Sequence, residues 1–220
     1  YQKALKIALQ SENKERIGCI FGHMGNVYRN LGQYEKARKA YQEALGITRE
    51  IGDKRQESIY LGNMGNVFHC LAEYKESIVF YKKAIQMTQE IGDKVHEGRY
   101  RGNLGALYQS LGENEQAIEN FQISLEIARD VGDKQLEGVH TGNLGILKEQ
   151  IGQYDEAMKH YQFAVDIARE IGDRRHEGIY LGNIGSVNEN LGQYELARQY
   201  YQSAIDIARE IGDRRHEGVY

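Results

Sequence analysis

The sequence predicts an all-α protein, a solenoid of helix-turn-helix hairpins stacked one on the next. Three observations carry that expectation. A motif recurs every 40 residues: Ile51-Gly52-Asp53 returns as Ile91-Gly92-Asp93, Val131-Gly132-Asp133, Ile171-Gly172-Asp173 and Ile211-Gly212-Asp213. Each period holds two amphipathic runs at helical spacing. No insertion, deletion or proline interrupts the register. A fixed period of this size marks a repeat architecture, in which each unit buries its apolar face only against its neighbours.

The elements follow in order. A partial repeat, 1-12, is the end of a second helix. Repeats of 40 residues occupy 13-52, 53-92, 93-132, 133-172 and 173-212, and a partial repeat fills 213-220. All form a single array. Within 53-92, Asp53 is an N-cap and Glu57 sits in the first turn, where the helix dipole favours an anion. Ile59, Tyr60, Met64, Val67, Phe68 and Leu71 then recur on one face. Ala72-Glu73 breaks the run where other repeats place Gly32, Gly152 or Gly192 before Gln. A second run, Tyr74, Ser77, Ile78, Tyr81, Ala84, Ile85 and Thr88, ends at Gly92, which supplies a left-handed cap. First helices are expected near 14-30, 53-71, 93-111, 133-151 and 173-191. Second helices are expected near 34-50, 74-90, 114-130, 154-170 and 194-210.

The register accounts for all 25 glycines. Nine fall in the two turns, Gly46 sits alone in a second helix, and the rest form three columns in the first helices, such as Gly98, Gly102 and Gly105. A helix-interior Gly costs about 1 kcal/mol relative to Ala. The spacing puts all three on one face, so the expected return is close backbone approach between helices. For the middle column, a groove floor for a ligand backbone is the alternative.

Composition narrows the function. Twenty-eight basic and 32 acidic residues leave a net charge of -4, which gives no basic footprint for nucleic acid. Apolar runs are too short to span a bilayer, and no targeting segment is visible. The missing initiating Met predicts a piece of a longer polypeptide. Cys19 and Cys70 are read as free thiols in a reducing compartment, hence cytoplasmic.

The run Asn63-Met64-Gly65-Asn66-Val67-Phe68, with Leu71, Tyr74, Ser77, Tyr81 and Ala84, resembles the tetratricopeptide repeat. So do Leu104-Gly105…Tyr108…Gly112…Ala117…Phe121 and Ile184-Gly185…Gly192-Gln193-Tyr194…Ala197…Tyr201…Ala204. Leu61, Arg101, Thr141 and Leu181 replace the family's usual bulky residue near the start, and Lys148 and Asn188 replace its first-helix aromatic. The 40-residue period is similar to the arrays of Pins/LGN-type adaptors, whose Leu-Gly-Asn motif aligns with Met24-Gly25-Asn26 and Met64-Gly65-Asn66.

The resemblance implies a right-handed superhelix whose first helices line a concave peptide-binding groove. Four columns would then face a ligand. They are His23, Asn63, Asn103, Asn143, Asn183; then Asn26, Asn66, Ala106, Ile146, Ser186; then Arg29, His69, Gln109, Glu149, Glu189; then Asn30, Cys70, Ser110, Gln150, Asn190. An amide side chain both donates and accepts, so a ladder of Asn could satisfy a peptide backbone without reading its sequence. The alternative is that each Asn ties adjacent helices together. The run from Arg29 to Glu149 and Glu189 suggests a ligand with an acidic and a basic end.

No catalytic constellation, cofactor motif or metal site is expected. The histidines His96, His176 and His216 share a column and are one or two repeats apart. The functional expectation is a non-enzymatic adaptor that holds a protein or peptide. The alternative is an oligomerisation array that stacks on itself or packs on a flanking effector domain. Tyr1, Leu5 and Ala8 at one end and Val219 and Tyr220 at the other predict head-to-tail association.

Overall fold

The computed structural model describes residues 13–217. Ten helices of 17 or 18 residues follow one another there, and a four-residue helix comes after them. They are α1 (Lys14–Asn30), α2 (Tyr34–Ile51), α3 (Lys54–Cys70), α4 (Tyr74–Ile91) and α5 (Lys94–Ser110). They continue as α6 (Asn114–Val131), α7 (Lys134–Gln150), α8 (Tyr154–Glu170), α9 (Arg174–Asn190), α10 (Tyr194–Glu210) and α11 (Arg214–Glu217). No strand occurs among the described residues. Each helix lies within a residue or two of its expected bounds. The chain forms two compact units, Tyr1–Leu107 and Tyr108–Tyr220. Residues Tyr1, Leu5, Ala8, Val219 and Tyr220, on which head-to-tail association was expected, lie outside the described residues.

The turns follow from capping chemistry. Asp53 accepts the Gln56 backbone N–H at 3.0 Å, and Asp133 accepts that of Leu136 at 2.9 Å. Ahead of each sits a left-handed glycine, Gly52 at φ +74° or Gly132 at φ +72°. The Asp53 N–H returns to the Thr48 carbonyl at 2.9 Å and the Gly52 N–H to that of Arg49 at 3.3 Å, the paired bonds of a Schellman cap. One residue both ends a helix and positions the next cap.

The turn inside the second hairpin has the same bonds but no glycine. Ala72 sits at φ +59°, and among the described residues no other non-glycine has positive φ. Gly32, Gly112, Gly152 and Gly192 hold that place elsewhere. Left-handed backbone costs an L-residue about 1–2 kcal/mol, while Gly gains unfolded-state freedom worth about 0.4–1 kcal/mol. Ala72→Gly should therefore raise stability by about 0.5–1 kcal/mol. Urea unfolding at constant m-value measures it, and a loss of stability would refute the strain.

The glycine columns hold side-chain rings. In the first unit, a Cβ on Gly25 would lie 2.5 Å from the Tyr41 ring, and one on Gly22 would overlap Tyr60. A Cβ on Gly18 would touch Ile47 at 3.1 Å. In the second unit, Gly145 faces Tyr161, Gly142 faces Tyr180 and Gly138 faces Ile167. The close packing expected from the sequence is thus ring on backbone rather than backbone on backbone. The middle column is occupied by buried tyrosines, not open to a ligand.

A carboxylate column, buried at Glu97, Glu137 and Glu177 and nearly so at Glu57, links second helices to the first helices that follow them. Arg49 Nε donates to Glu57 at 2.7 Å and Gln89 Nε2 to Glu97 at 2.7 Å in the first unit. Arg129 and Arg169 do the same for Glu137 and Glu177 in the second, at 2.9 and 2.8 Å. Burial would raise the Glu97 carboxyl, but hydrogen bonds from Lys94, Gln89 and Arg101 outweigh it and hold its pKa below the ordinary value.

Candidate functional site

Positions 63, 66, 69 and 70 lie three, six and seven residues along α3, so they share one helix face. Met64, on the other side of the helix, is buried, as are Gly62 and Gly65 at the edge of this face. Core packing therefore turns the expected columns toward the partly exposed side.

In the first unit, Asn26 Oδ1 accepts the Tyr41 hydroxyl at 2.6 Å, and Asn66 Oδ1 accepts the Tyr81 hydroxyl at 2.8 Å. Asn103 Nδ2 also reaches Asn66 Oδ1, at 3.3 Å. This amide pair is the interhelical tie that the sequence left as the alternative. Burial pushes the Tyr41 hydroxyl up to about 12, against the nearby Arg29 guanidinium. The His69 ring lies edge-on to Tyr74, at 5.9 Å between centroids. Arg29 has no ion-pair partner among the described residues.

In the second unit the acceptor changes. Residues 146 and 186 are Ile and Ser, and the tyrosine hydroxyl turns to a carboxylate twelve residues earlier. Tyr161 donates to Glu149 at 2.7 Å and Tyr201 to Glu189 at 2.7 Å. Glu149 also accepts Ser186 Oγ at 2.8 Å and Asn190 Nδ2 at 3.4 Å, which ties α8 and α9 to α7. Gln109 Nε2 reaches Gln150 Oε1 at 3.5 Å. Sequence reading missed the tyrosines as donors. The signal was present: the acceptor stands fifteen residues before Tyr41 and Tyr81 but twelve before Tyr161 and Tyr201. Phe121, without a hydroxyl, has Ala106 and Gln109 at those offsets.

The side-chain amides of Asn63, Asn143 and Asn183 are half-buried on this face and have no hydrogen-bond partner among the described residues. The ladder is thus divided by role. Asn26, Asn66 and Asn103 are spent at least partly inside the protein, and three amides keep their full capacity.

His96 and His176 have local roles. Each ring Nδ1 sits on the carboxylate that caps its own helix, Asp93 at 2.9 Å and Asp173 at 2.7 Å. No three His, Cys, Asp or Glu side chains come together to hold a metal ion among the described residues. No helix there is long and apolar enough to cross a membrane.

Paired helices with a capping turn every 40 residues define a helical-hairpin repeat array. The tetratricopeptide repeat matches residues 16–90, 96–170 and 138–210, and the chain belongs to that family. No curated relative matches it. Among solved structures it is similar to BtubC (BKLC) from P. vanneervenii, with a TM-score of 0.86 and 18% identity over 96% of this chain and 89% of that one. It is similar to aspartyl phosphate phosphatase F from Bacillus subtilis, with a TM-score of 0.84 and 17% identity over 96% and 56%. A signal transduction ATPase with a tetratricopeptide repeat sensor, from Pyrococcus horikoshii, gives 0.78 and 20% identity over 94% and 35%. The chain thus spans only part of the latter two proteins. At these identities the likeness is one of fold, the all-helical solenoid.

Proposed function

We propose that this chain is a non-enzymatic protein-interaction scaffold whose first-helix face holds an extended peptide. The observation that carries the reading is the pair of unpartnered amides, Asn143 and Asn183, on the first-helix face of the second unit, with Asn63 in the same state in the first. A partly exposed amide with no partner inside the protein keeps its donors and acceptor free for a ligand, and a peptide backbone supplies both the N–H and the C=O that match it. Arg29 and His69 in the first unit, and Gln109, Glu149 and Glu189 in the second, are the side chains that would read sequence. The 40-residue period supports a relation to Pins/LGN-type adaptors. The free thiols Cys19 and Cys70 support a cytoplasmic setting.

The test uses a nonapeptide selected from a randomised phage library on the wild-type chain. Asn143 and Asn183 lie in one unit and have no internal bond to lose. Each neutral hydrogen bond contributes about 0.5–1.5 kcal/mol. Replacing both by Ala should weaken binding by about 1–3 kcal/mol, or roughly 5- to 150-fold. Ala favours helix more than Asn does, so the melting temperature should hold or rise. A lower melting temperature with unchanged affinity would retire these amides as a binding site.

A further inference from the structure

The turns inside the hairpins lie along one edge of the second unit. Leu111, Ile151 and Leu191 each follow the last residue of a first helix, and they are 38%, 42% and 44% exposed. Contacts one or two residues earlier set neighbouring turns side by side. Gln109 reaches Gln150 at 3.5 Å, and Glu149 accepts Asn190 Nδ2 at 3.4 Å. An open groove of about 310 Å³ runs between the turn at 152–156 and Leu191, with Tyr154 and Leu191 as its apolar lining. Tyr194, three residues beyond Leu191, is 70% exposed. The edge is therefore an apolar ridge with a groove cut into it.

The charge along this edge has one sign. Glu113, Glu115 and Asp155 are exposed on the second-helix side of the ridge, and Glu149 and Glu189 stand on the first-helix side. None of them has an ion-pair partner among the described residues. Lys148 is held by Glu156 at 2.7 Å and Arg198 by Glu195 at 3.0 Å, so both of these cations are neutralised. Lys159 stands one turn further along α8, at the register position that Glu119 holds in α6. The helix dipoles leave the sign unchanged, because each turn joins the C-terminus of one helix to the N-terminus of the next and their end charges oppose. The first unit differs at the same edge. There Arg38 lies 2.7 Å from Glu35 and 3.8 Å from Glu73. Ile118 and Met158 replace that arginine in α6 and α8, and Glu115 and Asp155 stand where α4 carries Lys75.

We propose that this edge of the second unit docks a basic amphipathic helix of a partner protein. One leucine side chain of that helix enters the groove between Tyr154 and Leu191, and another lies between the turns of Leu111 and Ile151. The spacing fits. Packed helices are about 8–10 Å apart, and a helix returns to one face every seven residues, after about 10.5 Å. Carboxylates flank the ridge on both sides, so the complementary helix carries Lys or Arg on both sides of its apolar stripe. An anionic membrane surface, which also takes up apolar ridges, would be repelled by these carboxylates. The edge adjoins the first-helix face but uses neither Asn143 nor Asn183, so the proposal stands apart from the peptide reading of that face.

The test is fluorescence anisotropy on the 220-residue chain with a labelled peptide made of two Leu-Lys-Ala-Leu-Lys-Lys-Ala heptads. One control peptide carries Glu for every Lys. Another shuffles the same residues so that no leucine stripe forms. The wild type should bind the first peptide, and each control should bind about tenfold more weakly or worse. Raising the salt from about 0.05 M to about 0.5 M should weaken binding, because exposed carboxylates are screened. Glu115→Lys with Asp155→Lys places in α6 and α8 the residue that α4 already carries at Lys75. It should weaken binding by about tenfold or more. Leu191→Ser, at a half-exposed position, should weaken binding comparably, with a melting curve to show that the variant is folded. Asn143→Ala with Asn183→Ala should leave this affinity unchanged. The proposal is overturned if the wild type does not bind the peptide, or if Glu115→Lys with Asp155→Lys binds as well as wild type. Equal binding of the shuffled peptide would reduce the contact to charge alone and overturn the groove. A loss of affinity in the double asparagine variant would move the peptide to the first-helix face and overturn the edge as its site.

Discussion

Gly62→Ala should destabilise the first unit by about 2–3 kcal/mol, whereas Gly46→Ala should stabilise it by about 0.5–1 kcal/mol. Both substitutions add one methyl group inside a helix and both gain about 1 kcal/mol of helix propensity. What separates them is where the methyl goes. At Gly62 it would land inside the van der Waals surface of the Tyr100 ring, at Cε1 and Cζ, and that ring is only 6% exposed. A rigid ring in a packed slot moves only with its helix, so the overlap costs about 3–4 kcal/mol, above the roughly 1–3 kcal/mol usual for overpacking. At Gly46 a Cβ meets nothing within 4 Å. Gly18 is the intermediate case, since its Cβ would touch Ile47 at 3.1 Å. A methyl-bearing chain can yield by tenths of an ångström, so Gly18→Ala should fall near zero. Chemical unfolding of the three variants should rank Gly46→Ala, then Gly18→Ala, then Gly62→Ala. Equal effects would mean that propensity alone governs these positions and that the ring contacts contribute nothing.

These contacts also show how far sequence reading reached. The hairpins and their bounds were legible because one dipeptide does two jobs: Gly52 or Gly132 ends a helix and Asp53 or Asp133 starts the next. The glycine columns were legible as columns. Their occupants were not, because the ring that lies over Gly22 or Gly142 belongs to the next first helix, 38 residues on, and no short-range pattern links the two. The expectation of backbone against backbone fails for that reason. The first-helix face was placed by spacing alone, and the structure brings Asn66 and Asn103 together as the interhelical alternative required. What spacing could not decide was which amides are already used. That depends on the second helix: a hydroxyl on Tyr81 takes Asn66, whereas Tyr161 takes Glu149 and Tyr201 takes Glu189. The Arg129–Glu137 pair is similar. Glu57 and its equivalents read as dipole anions, but their burial beneath an arginine or glutamine eight residues earlier emerges only from the packing of consecutive hairpins.

The second large effect is expected from pH. His140 is 4% exposed, and neither ring nitrogen has a hydrogen-bond partner among the described residues. Its ring stacks on Phe121, with centroids 5.6 Å apart and planes at 30°. Other first helices place Tyr60, Tyr100 and Tyr180 at this position, and an imidazole there has no charge partner in contact. Burial pushes its pKa from 6.5 down to about 4, and the Asp133 carboxylate offsets only part of that. The native state therefore stays neutral while the unfolded chain takes up a proton below pH 6.5. Because the unfolded state binds more protons across this window, stability rises with pH and is lost as pH falls from about 6.5 toward 4. The loss attributable to His140 should reach about 2 kcal/mol by pH 5 and about 3 kcal/mol by pH 4. The carboxylates give up their contribution at lower pH. Glu97 and Glu137 have folded pKa values below the ordinary 4.5, so their stabilisation is intact above that value and is lost as pH falls through the folded values. His160, also shifted down by burial, makes stability fall with pH in the same direction as His140, so the informative quantity is the difference between wild type and His140→Phe. Phe keeps the stacked ring and removes the titrating nitrogens. Whatever it does to stability at pH 7, it should flatten the fall between pH 7 and pH 5 by about 2 kcal/mol in urea unfolding at each pH. Parallel curves for the two proteins would show that the imidazole is already charged or solvated in the folded state, and that the acid sensitivity of this repeat resides elsewhere.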